Sequence, residues 1–94
     1  MKKFTVDLKN VTNYSEFYDA LIKGLDFPEW CGKNPDAIWD LLTGLLETPA
    51  VVEIKNSTRP EGWILKEEFD LLVKTLEETK EWYDEGEFSF VILS

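Results

Sequence analysis

Three short apolar segments, each separated from the next by sequence with helical periodicity, constrain the fold of this chain most strongly. The first alternates apolar and polar residues at Phe4, Val6 and Leu8, the second is largely apolar over residues 50–54, and the third is nearly continuous over residues 88–93. Strands joined through helices pair in parallel by crossover connections. The sequence therefore predicts an α/β fold in which a three-stranded parallel sheet packs with three to four helices.

Two of these helices have clear start signals. Asn13 followed by Glu16 matches a capping box, and Asn34 followed by Pro35 places a good N-cap before the residue best suited to the first helical position. Gly44 suits the C-terminal exit of the second helix. The apolar positions expected to face the core are Phe17, Leu21, Ile22 and Leu25 in the first helix and Ile38, Leu41, Leu42 and Leu45 in the second.

A longer third helix is predicted from about Ile64 to Asp84. Its apolar stripe consists of Leu65, Phe69, Leu72, Val73, Leu76 and Tyr83. Trp63 and Trp82, near its two ends, are assigned to packing. Residues 56–62 are predicted to form a turn-rich connection that leads into it.

Length and charge limit the classes of function. A chain of 94 residues is expected to form a single domain over residues 1–94. Its 19 Asp and Glu against 10 Lys and Arg give a formal net charge of −9, which disfavours nucleic acid and anionic membranes as partners. A basic protein is the natural partner, although excess acid is also a common means of solubility. Without a signal-peptide or transmembrane pattern, a cytoplasmic location and a free monomer are expected.

The chain lacks the residues on which most catalytic and metal sites depend. There is no histidine, so Ser–His and Cys–His nucleophiles are ruled out, and Cys31 is the sole cysteine. The sequence has no glycine-rich phosphate loop and no calcium-loop spacing. We therefore expect no cofactor, no metal and no enzymatic activity, with a carboxylate-pair enzyme built on Asp36 and Asp40 as the remaining catalytic alternative.

Asp36 and Asp40 lie one turn apart on the polar face of the second predicted helix. Like charges at this spacing repel, and only Asp36 is close enough to the helix N-terminus to gain from the helix dipole. A solvated acidic face is one interpretation. Trp39 at the border of that face and Trp30 in the preceding loop favour another, because tryptophans beside a charged patch are typical anchors of protein interfaces.

The segment from Pro28 to Gly44, Pro-Glu-Trp-Cys-Gly-Lys-Asn-Pro-Asp-Ala-Ile-Trp-Asp-Leu-Leu-Thr-Gly, resembles the signature of the barstar family of ribonuclease inhibitors. The similarity extends to the Met-Lys-Lys opening and the Val-Ile-Leu-Ser ending. The resemblance implies a three-stranded parallel sheet with helices, in agreement with the prediction above. It also implies an inhibitor or immunity protein that forms a one-to-one complex with a cationic secreted ribonuclease, barnase-like or other, and protects the producing cell by covering the active site.

The same resemblance assigns roles to individual residues. Asp40 would occupy the substrate-phosphate position, and Asp36 would pair with another basic group. A glutamate late in the last helix would also contact the enzyme; counting back from Gly86 gives Glu81, whereas aligning the apolar stripe gives Glu78. The remaining residues expected to line the contact are Trp30, Gly32, Asn34, Trp39, Thr43 and Gly44.

The chain departs from the family pattern at four positions. Trp30 and Cys31 stand where the family has two tyrosines, Leu45 replaces a tryptophan, and Lys33 is expected to place a positive charge beside the acidic face. These departures favour a cognate ribonuclease other than barnase. An alternative hypothesis is a binding module that neutralises a basic protein that is not a ribonuclease, such as a deoxyribonuclease or a regulator.

Overall fold

The computed structural model describes residues 1–56 and 65–93, and within them it contains a three-stranded parallel sheet and three helices. The strand order is β1-β2-β3, with both neighbouring pairs parallel, as the sequence predicts. The elements in chain order are β1 (Lys2–Asp7), α1 (Tyr14–Gly24), α2 (Pro35–Gly44), β2 (Ala50–Lys55), α3 (Lys66–Trp82) and β3 (Phe88–Ile92).

The sheet buries one of its two faces. Phe4 of β1 is aligned with Val52 of β2, which is aligned with Phe90 of β3, and this row faces the core. Thr5, the neighbour of Phe4, is exposed because successive side chains of a strand point to opposite faces. The apolar composition of β3 does not make it fully buried, since Val91, Ile92 and Leu93 are exposed.

Helix α1 begins at the predicted capping residue. The Asn13 side chain accepts a 2.9 Å hydrogen bond from the backbone N–H of Glu16. The Glu16 carboxylate does not return to Asn13, as a regular capping box requires, but accepts hydrogen bonds from the backbone N–H and the hydroxyl of Thr12. Phe17 and Leu21 then fall on the buried side of the helix. The start of α1 is therefore as predicted, and only the return hydrogen bond of the capping box is displaced by one residue, to Thr12.

The apolar face of α2 is partly as predicted. Ile38 and Leu42 are buried and Leu41 is half-buried, but Leu45 is 54% exposed. The prediction for Leu45 is wrong because the helix ends at Gly44, and the chain then turns so that Leu46 enters the core instead. A helical period extended beyond the last helical residue no longer describes which side chain is buried.

Helix α3 is shorter than predicted. It ends at Trp82 rather than near Asp84, and its buried stripe is Leu72, Leu76 and Thr79. Thr79 is fully buried, and its hydroxyl is satisfied there by a 2.7 Å hydrogen bond that it donates within its own helix, to the carbonyl oxygen of Thr75. The predicted helix start at Ile64, the packing role of Trp63 and most of the connection over 56–62 lie outside the described residues.

The three helices meet at one point of the core. Residues of all three line a small cavity, so α2 is held from both sides while its polar face remains outward. The lining residues are Tyr18 and Leu21 of α1, Pro35 and Ile38 of α2, and Leu72 and Thr75 of α3.

Candidate partner-binding surface on helix α2

Asp36 and Asp40 are both exposed, one turn apart on the outer face of α2. Two residues at this spacing are about 6 Å apart along the helix axis. Asp36 lies in the first turn, where the free N–H groups favour a negative charge. The face they share is opposite to Ile38 and Leu42, which fix α2 to the core.

The start of α2 is fixed by local hydrogen bonding. The Asn34 side chain accepts a 2.8 Å hydrogen bond from the backbone N–H of Ala37, and Pro35 occupies the first helical position. Gly32 packs against this cap: a Cβ atom there would lie 3.0 Å from the Asn34 side-chain nitrogen and 3.2 Å from the Ala37 Cβ. Asn34 and Gly32, both expected to line the contact, therefore also set the position of the acidic face.

Lys33 does not lie beside the acidic face as expected. Its ammonium group forms a 2.9 Å ion pair with Asp19 and a 2.8 Å hydrogen bond with the Ser15 hydroxyl, both on α1. Its carbonyl oxygen also accepts a 2.6 Å hydrogen bond from the Tyr14 hydroxyl. The lysine side chain is engaged by α1 rather than by Asp36 or Asp40, and it holds the loop against α1.

Neither aspartate is neutralised within the part of the chain that the structure describes. The ion pairs among residues 1–56 and 65–93 are Lys2–Glu47, Lys3–Glu53, Lys33–Asp19 and Lys66–Asp70, and none involves Asp36 or Asp40. As far as residues 1–56 and 65–93 are concerned, both carboxylates are thus available to a cationic group of another molecule.

Trp39 is half-buried and meets a tryptophan from another helix. Its ring contacts that of Trp82 edge to face, with centroids 6.0 Å apart and planes at 77°. Trp82 packs on Trp39, but it is 62% exposed, so the predicted packing role accounts for only part of its surface. The position of Trp82 at the border of the α3 stripe is one signal of this exposure, but its partner Trp39 is 43 positions away and could not be inferred.

Thr43 and Gly44 complete the outer face at the end of α2. The Thr43 hydroxyl donates a 2.9 Å hydrogen bond to the Trp39 carbonyl oxygen, so this donor is used within the helix itself. Gly44 is exposed, and a Cβ atom there would meet nothing within 4 Å. Its backbone has no positive φ, so the glycine is not required by the helix exit.

Trp30 and Cys31, adjacent in the loop before α2, have opposite environments. Trp30 is 76% exposed, as expected of a contact residue. Cys31 is buried in the core, and this burial raises the pKa of its thiol. Cys31 packs the loop onto the core, whereas the indole of the adjacent Trp30 remains in solvent.

A shallow groove separates α2 from α3, and it distinguishes the two candidate glutamates. Asp36 and Trp39 line its α2 side, and Glu78 lies on its α3 side. Glu81 instead lines a depression on the other side of α3, toward Phe88 of β3. Of the two glutamates, Glu78 is therefore the one that shares a groove with Asp36 of α2.

No group of three or more metal-binding side chains occurs among the described residues. In the same part of the chain, no helix is both long and apolar enough to cross a membrane. What α2 presents is an open face of paired carboxylates flanked by indole rings.

The sequence profile described as Barstar (barnase inhibitor) matches residues 1–94. The chain belongs to the barstar family. A curated relative is the YrdF protein of Bacillus subtilis (strain 168), which is named as a candidate ribonuclease inhibitor. The two are 39% identical over 56 residues, which are 60% of this chain and 62% of the relative. The match thus spans somewhat less than two thirds of that relative's length.

Membership of the barstar family agrees with the parallel sheet and with the local structure of α2. The segment that carried the resemblance, residues 28–44, forms the loop and helix on which the exposed carboxylates lie. Family members are described as inhibitors rather than as enzymes, and a ribonuclease-inhibitor-like role is the one that this membership supports.

Proposed function

We propose that this protein inhibits a basic ribonuclease by covering its active site with α2 and the preceding loop. The observation that carries the proposal is the pair Asp36 and Asp40, exposed on one face and without an ion pair among the described residues. A site that binds RNA phosphates concentrates cationic donors. Two carboxylates about 6 Å apart can replace successive phosphates there and form charge-assisted hydrogen bonds.

The residues of the α2 surface take different parts in the proposed complex. Asp40 enters the phosphate-binding position, and Asp36 pairs with a second basic group near the rim. Trp39 and Trp30 supply apolar area around these charges, which excludes water and strengthens the ion pairs. Residues 1–94 act as one domain, a monomer when free, that binds one enzyme molecule in the cytoplasm of the producing cell.

The net charge supports rapid association with such an enzyme. A formal charge of −9 attracts a basic protein over distances longer than direct contact. Salt screens this attraction, with a Debye length of about 10 Å at 0.1 M. The association rate constant is therefore expected to fall as the salt concentration rises, with a smaller change in the dissociation rate constant.

The test is inhibition of RNA hydrolysis by barnase and by a panel of other basic bacterial ribonucleases. Asp40→Asn is compared with Glu77→Gln, which removes the same charge from the side of α3 toward β3. Losing one partner of a buried charge pair costs about 2–5 kcal/mol, or roughly 30- to 5,000-fold in affinity. Glu77→Gln is expected to change affinity only through net charge, by about twofold or less.

Two results would overturn the proposal. One is that the wild-type protein inhibits no ribonuclease of the panel; basic deoxyribonucleases assayed in parallel then identify the alternative partner class. The other is that Asp40→Asn binds as tightly as Glu77→Gln. Urea unfolding of both variants in the free state shows that any loss of binding is not a loss of folding.

A further inference from the structure

Trp82 is an exposed tryptophan in the last turn of α3, and among the described aromatic residues its ring contacts one other. Its ring meets Trp39 of α2 at a centroid distance of 6.0 Å, while 62% of the residue is open to solvent. Edge-to-face contact between two aromatic rings contributes roughly 0.5–1.5 kcal/mol. Such a contact fixes the orientation of the indole without removing most of its surface from water.

The two rings are held in place by hydrogen bonds next to each of them. Beside Trp82, the Tyr83 hydroxyl donates a 2.6 Å hydrogen bond to the Leu42 carbonyl oxygen of α2. On α2, the Trp39 carbonyl oxygen accepts the hydroxyl of Thr43. The position of the pair therefore follows from the fold, and a partner would meet an ordered aromatic surface with little loss of side-chain entropy.

The surroundings of the pair are acidic on the side toward the groove. Glu78 precedes Trp82 by one helical turn on α3, and residues at this spacing are neighbours on a helix surface. Asp36 lies across the groove that Trp39 and Glu78 line. The one cation lining this groove among the described residues, Lys74, lies two turns before Trp82.

An indole face beside a carboxylate is the chemistry that receives an arginine side chain. The guanidinium group stacks on aromatic rings and pairs bidentately with carboxylates, whereas a lysine ammonium group does neither as well. A basic ribonuclease presents arginines around its RNA-binding site. The Trp39–Trp82 pair adjoins the acidic face of α2, so one arginine at the rim of that site could reach it while Asp40 occupies the centre.

We propose that Trp82 is a second aromatic contact residue of the interface, and that Trp39 and Trp82 together bind one arginine of the ribonuclease beside Glu78. This inference rests on the proposed function and adds a specificity-determining residue to it. Ribonucleases that lack an arginine at this place bind more weakly, although they meet Asp36 and Asp40 equally well.

The experiment uses the ribonuclease of the panel that the wild-type protein binds most tightly. Trp82→Ala and Trp82→Phe are compared with Val91→Ala, which removes an exposed apolar side chain from β3. Trp82→Ala is expected to weaken affinity by about 5- to 30-fold, and Trp82→Phe by less, because Phe retains a smaller aromatic face. Val91→Ala leaves affinity unchanged. Val91→Ala is expected to keep the wild-type urea midpoint within about 0.5 M, and the two Trp82 variants to lower it by no more than about 1 M, because they lose at most the edge contact with Trp39.

A double-mutant cycle identifies which arginine of the ribonuclease binds the Trp39–Trp82 pair. Each arginine near the enzyme's RNA-binding site is changed to lysine, which keeps the charge and removes the planar stacking group. One Arg→Lys change is expected to lose its effect in the Trp82→Ala background, with a coupling of about threefold or more. If Trp82→Ala weakens binding but no arginine couples with it, the arginine assignment is wrong.

Failure of this inference can be told apart from failure of the proposed function. In the free protein, the far-ultraviolet exciton couplet of the two indoles disappears on either Trp39→Phe or Trp82→Phe, which reports their contact independently of binding. If Trp82→Ala binds like Val91→Ala while Asp40→Asn has lost affinity, Trp82 is no contact residue and the proposed function remains. If the wild-type protein binds no ribonuclease of the panel, both proposals are overturned.

Discussion

The hydroxyl of Tyr83 donates a 2.6 Å hydrogen bond to the carbonyl oxygen of Leu42, and this bond joins the end of α3 to the last turn of α2. The Tyr83 ring also stacks on Phe88, the first residue of β3, with centroids 6.0 Å apart. One side chain therefore connects both helices of the proposed interface to the sheet. Tyr83 and Phe88 thus support α2 from its inner side, and they do not lie on its exposed face.

Replacing Tyr83 with Phe is expected to destabilise the protein by about 0.5–1.5 kcal/mol, because the partly buried carbonyl of Leu42 loses its donor. The measurement is the free energy of unfolding in urea. Tyr14→Phe is the matched control, since the Tyr14 hydroxyl also donates a 2.6 Å hydrogen bond to a carbonyl oxygen but belongs to an exposed residue. A Tyr83 variant no less stable than the Tyr14 variant would show that this hydrogen bond does not hold the two helices together.

The sequence predicted those features that depend on neighbouring residues. Asn34 and Pro35 specify the start of α2 through contacts with residues no more than three positions away. The periodicity around Ile38 and Leu42 specifies which face of the helix is buried. The exposure of Asp36 follows from these, because a helix with one face fixed has its opposite face outward. For this reason, the outer face of α2 could be derived without knowledge of the remaining chain.

The features that the sequence did not predict depend on contacts between distant segments. Lys33 pairs with Asp19, fourteen positions earlier, and this removes it from the acidic face. Trp82 contacts Trp39 only because α2 and α3 pack side by side. A helical period assigns a residue to a face of its own helix, but it does not state which other element meets that face.

Gly44→Ala is expected to stabilise the free protein by up to about 1 kcal/mol, because alanine favours a helix over glycine and nothing lies within 4 Å of the added Cβ atom. Gly44→Gln is expected to weaken ribonuclease binding, since a long side chain at the edge of the proposed contact obstructs the enzyme. Urea unfolding and inhibition assays give the two quantities separately.

The control for the stability of Gly44→Ala is Gly32→Ala, which is expected to destabilise the free protein instead of stabilising it. Its Cβ atom would lie 3.0 Å from the Asn34 side chain and displace the helix cap, at a cost of about 1 kcal/mol. If Gly44→Gln binds the enzyme as tightly as wild type, the end of α2 lies outside the contact.

Cys31 is expected to react slowly with iodoacetamide in the native protein. The residue is 5% exposed, and burial raises the pKa of its thiol, so both access and the thiolate fraction are low. Mass spectrometry should find rapid alkylation in urea and little under native conditions at the same pH. Rapid native labelling, or disulfide-linked dimers on mild oxidation, would show that the loop opens far more readily than its packing indicates.

Tyr18 is expected to make stability decrease at alkaline pH. Burial raises its pKa above the ordinary value of 10.0, and the hydrogen bond that it donates to Glu68 raises it further. The folded state thus favours the neutral phenol, so its contribution is complete below about pH 10 and is lost as the pH rises toward the folded-state pKa. The free energy of unfolding of Tyr18→Phe should fall less steeply above pH 10 than that of wild type; equal slopes would contradict this.

Glu78 and Glu81 of α3 are expected to differ in whether they contact the ribonuclease. Glu78 shares the groove with Asp36 and Trp39, whereas Glu81 lines the depression on the other side of α3. Glu78→Gln and Glu81→Gln remove the same charge and keep the same shape, so long-range attraction is reduced about equally in both. Only a short-range ion pair can separate them.

Glu78→Gln is therefore expected to increase the dissociation rate constant by about 3- to 10-fold, and Glu81→Gln to change mainly the association rate constant, by less than about twofold. Surface plasmon resonance at two salt concentrations measures both constants. The reverse result, a faster dissociation for Glu81→Gln alone, would mean that the enzyme reaches around the end of α3. In that case the contact includes the depression beside β3, and the groove between α2 and α3 is not its boundary.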